Sequence, residues 1–101
     1  MATSVIKRNP RVYVKQAGLT VPSTAINGNG GEAEWNIDVS SQIGGGKLIG
    51  VAFNWATGSA CYGSNVQTTS TSAIYVRLVN PRNYAVTVTS IVCTLFYELP
   101  A

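Results

Sequence analysis

The sequence predicts an all-β domain, a small antiparallel β-sandwich of jelly-roll or immunoglobulin-like kind, and three observations carry that prediction. β-branched residues dominate: 12 Val, 7 Ile and 10 Thr stand against 5 Leu and 3 Lys. Such side chains fit a pleated sheet better than a helix. Turn formers are abundant, with 10 Gly, 9 Ser, 8 Asn and 4 Pro. They fall between short alternating apolar runs at about ten-residue spacing, the signature of a sandwich and not of βαβ units. At 101 residues the chain has room for one domain, 1–101, and no linker or repeat divides it.

The first predicted strand is short, residues 11–15, where Val12 and Val14 alternate with Arg11, Tyr13 and Lys15. Residues 21–26 lead into the run Asn27, Gly28, Asn29, Gly30, Gly31, a loop in which positive φ is cheap. No helix-forming segment follows these glycines, so they make no phosphate cradle. Residues 33–39 read as a half-buried strand, with Trp35, Ile37 and Val39 on one face and Glu34, Asn36 and Asp38 on the other. One turn over 40–43 is broken by Gly44, Gly45 and Gly46.

The next strand, 47–55, puts Ile49, Val51, Phe53 and Trp55 on one face. Its other face, Leu48, Gly50, Ala52 and Asn54, is small and uncharged and calls for a cover. A turn over 56–59, a weaker strand over 60–66 and a polar loop over 67–72 follow. Residues 73–80 alternate strongly, with Ile74, Val76 and Leu78 opposite Tyr75, Arg77 and Val79. Pro81 then sets φ for a turn over 80–83, in which Asn83 suits a left-handed conformation. The last strand, 85–99, slips phase near Thr89 and Ser90: Val86 and Val88 share one parity, Ile91, Cys93, Leu95 and Tyr97 the other. Either a β-bulge sits there or both faces are buried.

Catalytic chemistry has few candidates. Histidine is absent and only four carboxylates occur, Glu32, Glu34, Asp38 and Glu98. On a strand Glu34 and Asp38 share a face but stand about 13 Å apart, beyond the roughly 6.5–9.5 Å of an inverting glycosidase pair. Glu32 and Glu34 read as a solvated face. Cys61 and Cys93 lack CxxC spacing and companion ligands, so free thiols are expected, with no metal and no cofactor. The chain reads as a non-enzymatic protein that binds or assembles.

Charge is scarce. Only 11% of residues are charged, for a net charge of +3, against about a quarter in a typical soluble domain. An apolar second face therefore calls for another copy of the chain, and a homo-oligomer is expected. The basic residues cluster early, Lys7, Arg8, Arg11 and Lys15. Residues 1–11 form a basic arm, with Lys7, Arg8 and Arg11 as candidate anchors to a larger acidic structure. No aromatic platform interleaves with them, so nucleic acid is not an expected partner. Neither a signal peptide's apolar stretch nor ~18 consecutive apolar residues occur, so cytosolic synthesis without membrane insertion is expected. Trp55 and Tyr62 are the candidate glycan contacts, with Tyr75 and Tyr84 also near strand ends and Asn54 and Asn65 at hand to bond sugar hydroxyls. A stand-alone carbohydrate-binding module is the alternative reading.

Two segments add a resemblance. Asn36-Ile37-Asp38-Val39-Ser40, followed after a Gly-rich spacer by Lys47-Leu48-Ile49-Gly50-Val51, is one; Ile74-Tyr75-Val76-Arg77-Leu78-Val79-Asn80-Pro81, with the alternating tail to Phe96-Tyr97, is the other. Together, over 34–97, they resemble the small β-sandwich domains ending tail-fibre, head-fibre and other minor structural proteins of bacteriophages of Gram-positive hosts. The resemblance implies a virion protein that assembles symmetrically, commonly as a trimer, with other virion proteins as partners and sometimes a host-surface glycan. Those domains usually end a long fibre, whereas no shaft repeat or stalk stands here. A decoration protein, a fibre tip or an excised domain is then expected, anchored through the basic arm.

Overall fold

The computed structural model describes residues 11–57 and 61–99. Six strands form in chain order: β1 (Arg11–Ile26), β2 (Gly31–Asp38), β3 (Lys47–Ala56), β4 (Tyr62–Thr68), β5 (Ala73–Asn80) and β6 (Val86–Leu99), with one 3₁₀ turn at Ser40–Gln42. They make two antiparallel three-stranded sheets, one ordered β1-β6-β3 and the other β2-β5-β4. The predicted all-β sandwich is therefore the observed class. Only β4 to β5 connects neighbours within a sheet; the other connections pass between sheets. The core lies between the layers. Ile74, Val76 and Leu78 of β5 meet Ile91, Cys93 and Leu95 of β6, all six fully buried, with Trp35, Val39 and Ile43 closing one side.

Several predicted boundaries move. β1 is not a five-residue strand, because 21–26 continues it as the partner of β6 down to Ile26↔Val86. Gln67 and Thr68 belong to β4 and pair with Tyr75 and Ile74, so the polar loop starts two residues later. Turn chemistry also differs at one point. Asn29 holds φ +60°, and it alone among the described non-glycine residues has positive φ, so Asn83 does not take the left-handed conformation expected of it. The turn after β5 is organised by Asn80 instead. Its buried side chain donates from Nδ2 to the carbonyls of Ile26 (3.0 Å) and Tyr84 (2.8 Å). Its Oδ1 accepts from the Arg82 N–H at 3.0 Å.

The phase slip in β6 is real and has a cause on each flank. Across β1, Thr20 pairs with Ser90 and Thr24 with Val88, so Val21, Pro22 and Ser23 lie opposite the single residue Thr89. Pro22 has no N–H to give the ladder, and proline sits in sheets where a bulge relieves it of that role. On the β3 side the strand has ended. There the Thr57 hydroxyl accepts from the amides of Thr89 (2.7 Å) and Ser90 (3.2 Å).

β3 overturns the expectation of a single face running from Ile49 to Trp55. Register shifts at Leu48/Gly50 and Phe53/Trp55 flip its alternation twice. Leu48 and Ala56 are buried, Val51 and Phe53 pack on the core, and Ile49 and Trp55 are exposed.

Candidate functional site

The strand register assigns each side chain to a face, and the two outer faces of the sandwich differ in kind. In the β1-β6-β3 sheet, Ile91, Cys93 and Leu95 point inward, so Val92, Thr94 and Phe96 point outward. Their β1 partners are Gly18, Gln16 and Val14, and their β3 partners are Trp55, Ala52 and Gly50. None of these nine residues is charged. Charge begins only one step further along β6, where Glu98 stands between Val12 and Lys47. Val12, Val14 and Trp55 are at least half exposed here, at 60%, 62% and 50%. Phe96 lies over Gly50, whose missing Cβ would sit 3.6 Å from the ring. Beside Trp55, the Thr94 hydroxyl donates to Asn54 Oδ1 at 2.8 Å.

The outer face of the other sheet is polar. Ile74, Val76 and Leu78 point inward, leaving Tyr75, Arg77 and Val79 outward beside Glu32, Glu34, Asn36 and Asp38 of β2 and Tyr62, Asn65 and Gln67 of β4. Tyr75 donates its hydroxyl to the Glu34 carboxylate and accepts from Arg77 Nε at 3.2 Å. Arg77 also reaches Glu34 at 3.6 Å. The bond to Glu34 pushes the Tyr75 phenol up, and the bond to Tyr75 pushes the Arg77 guanidinium up. Each proton is thereby held where it is. The trio is a latch across β2 and β5, with no free base or nucleophile. Asp38 is held below the usual carboxylate range by the backbone N–H of Ser40, 2.8 Å from Oδ1.

Three of the four acids thus line one solvated strand, and Glu98 belongs to the other sheet. Among the described residues no group of three or more His, Cys, Asp or Glu gathers as metal ligands. Both cysteines are free thiols; Cys93 is buried, and burial pushes its thiol up to about 11. Among the described residues no helix is long and apolar enough to cross a membrane.

The two predicted glycan contacts are not brought together. Trp55 pairs with Val92 on the outer face of one sheet, while Tyr62 pairs with Val79 on the outer face of the other. Seven positions apart in sequence, they look away from each other, so no single sugar stacks on both. Of the candidate anchors, Arg11 opens β1 and is exposed; Lys7 and Arg8 lie outside the described residues. On β1 the uncharged face is Val14, Gln16 and Gly18, of which the short predicted strand 11–15 reaches only Val14. The apolar residues of both parities in β6 were the signal that its outward side chains join such a face. Comparison with family models, curated proteins and solved structures finds no match.

Proposed function

We propose that this chain is a non-enzymatic structural protein of a bacteriophage particle, a fibre tip, decoration or host-adhesion module, built as a homo-oligomer through the outer face of its β1-β6-β3 sheet. The observation that carries the reading is the inequality of the two faces. One holds the Glu34–Tyr75–Arg77 latch and three of the acids; the other runs uncharged across three strands from Gly18 to Phe96 with Val14 and Trp55 standing out. Water covers the first at no cost, whereas burying the second removes apolar surface worth roughly 25 cal/mol per Å².

The trimeric state rests on the resemblance to phage fibre domains, which commonly assemble about a threefold axis; this face of three copies would meet there. The virion assignment rests on the resemblance of the 36–40, 47–51 and 74–81 segments to phage fibre domains. Mass spectrometry of purified particles tests it: the chain in fixed ratio to the major structural proteins is the expected result. Its absence from intact particles contradicts the assignment.

The alternative reading, a carbohydrate-binding module, draws support from Trp55 beside the Asn54–Thr94 pair, an aromatic surface next to hydrogen-bonding groups. It predicts saturable sugar binding by a dispersed monomer, lost in Trp55→Ala. Self-association that buries Trp55 argues against it.

A further inference from the structure

We propose that Asn27 is a site of spontaneous deamidation, converted through a succinimide to aspartate and isoaspartate, and that Asn29, two residues on in the same turn, is protected by the fold. The β1–β2 turn holds the only two Asn-Gly pairs of the sequence, Asn27-Gly28 and Asn29-Gly30. Asparagine followed by glycine is the most labile arrangement, because no Cβ obstructs attack by the next backbone nitrogen. Sequence alone does not separate the two. Their amides do.

The Gly30 N–H donates to the Asn80 carbonyl at 2.8 Å, and the Asn29 N–H donates to the Arg82 carbonyl. The nitrogen that would attack Asn29 is thus held to β5, and removing its proton breaks that bond. The Gly28 N–H has no acceptor among the described residues, and the Asn27 side chain is exposed. Gly28 is also irreplaceable: a Cβ there would sit 2.6 Å from the Tyr84 nitrogen and 2.7 Å from the Arg82 carbonyl oxygen. The packing of this turn on the β5–β6 loop demands at position 28 the residue that leaves Asn27 open.

The chemistry needs only water. Hydroxide takes the Gly28 amide proton, and the nitrogen attacks Asn27 Cγ. The new C–N bond closes the ring as ammonia leaves, carrying the side-chain nitrogen. Water then opens the ring at either carbonyl, giving aspartate or isoaspartate. Each event adds one negative charge at neutral pH, taking the net charge from +3 to +2. The isoaspartate product also adds a methylene to the backbone where the turn seats against Arg82 and Tyr84.

The test is peptide mapping by mass spectrometry of the folded chain aged in mildly alkaline buffer, with a parallel sample in urea. Folded, Asn27 conversion should run on the order of tenfold ahead of Asn29, the scale one backbone hydrogen bond imposes. In urea Asn29 should catch up to a comparable rate. Asn29 converting first or equally in the folded protein overturns the proposal, as does no conversion of Asn27. An Asn27 preference that persists unchanged in urea overturns it too, since the selectivity would then owe nothing to the fold.

Discussion

The Thr57 hydroxyl stands 2.7 Å from the Thr89 amide, 32 positions along the chain, at the point where β6 changes the side it buries. Thr57 also accepts from the Ser90 amide and gives its own N–H to the Ser90 carbonyl at 3.0 Å. One residue beyond the end of β3 therefore replaces a strand partner that bulged β1 does not supply on the other flank. Thr57→Val, close in shape, leaves both amides without this acceptor and should cost about 1–2 kcal/mol in urea unfolding. Thr57→Ser should recover most of it. A valine variant as stable as the parent would contradict the role given to the hydroxyl.

Asn80 is the second such device. Its side chain is fully buried and satisfies two carbonyls and one amide from Ile26, Tyr84 and Arg82. Asn80→Ala strands all three groups and should cost about 2–4 kcal/mol. A loss within about 0.5 kcal/mol, the range of ordinary surface changes, would show that water replaces the amide without penalty.

Leu95 and Thr71 test the division between core and loop. Leu95 is fully buried in β6, whereas Thr71 lies exposed in the bend before β5. Leu95→Ala should cost roughly 2–5 kcal/mol, and Thr71→Ala should stay within about 0.5 kcal/mol. Equal midpoints for the two variants would contradict the layering.

Cys93 links stability to alkaline pH. Its thiol sits at about 11 in the fold against an ordinary 9.0, so the unfolded chain releases the proton first and the folded state holds it. Stability from this group is complete below about pH 9 and declines as pH rises toward 11. Thermal midpoints across that window should fall less in Cys93→Ala than in the parent, each compared with its own neutral value. Thiol labelling should modify Cys61 faster than Cys93 under native conditions and add two labels after denaturation without reductant. A chain that takes no label when denatured would mean the cysteines are paired.

Local rules made much of this fold legible. Ile74, Val76 and Leu78 alternate cleanly, Pro81 follows the strand they define, and Asn29 and Gly30 occupy the positive-φ turn. What local pattern does not carry is which sheet a strand joins. Trp55 and Tyr62, both candidate glycan contacts, lie on different sheets, because β3 pairs with β6 and β4 with β5. The bulges in β3 escaped for the same reason: they are mismatches against β6, more than 30 residues away, and no alternation within Lys47–Ala56 reveals them. Asn80 looked like a turn residue, and its partner Ile26 lies 54 positions earlier. The uncharged face of the β1-β6-β3 sheet emerges only once the register sets Val14 beside Phe96 and Gly50.

Light scattering on a size-exclusion column, run on the parent chain and two lysine variants, tests that face directly. Val14→Lys places a charge on it at a position 62% exposed in the single chain, so folding itself should change by no more than about 0.5 kcal/mol. Asn36→Lys places the same charge on the polar face of the other sheet. The parent and Asn36→Lys should elute as an oligomer near three times 10.7 kDa, and Val14→Lys should fall toward 10.7 kDa with its β-sheet circular dichroism intact. A parent chain that persists at 10.7 kDa at high concentration would contradict self-assembly. An oligomer that survives Val14→Lys but not Asn36→Lys would place the contact on the opposite face.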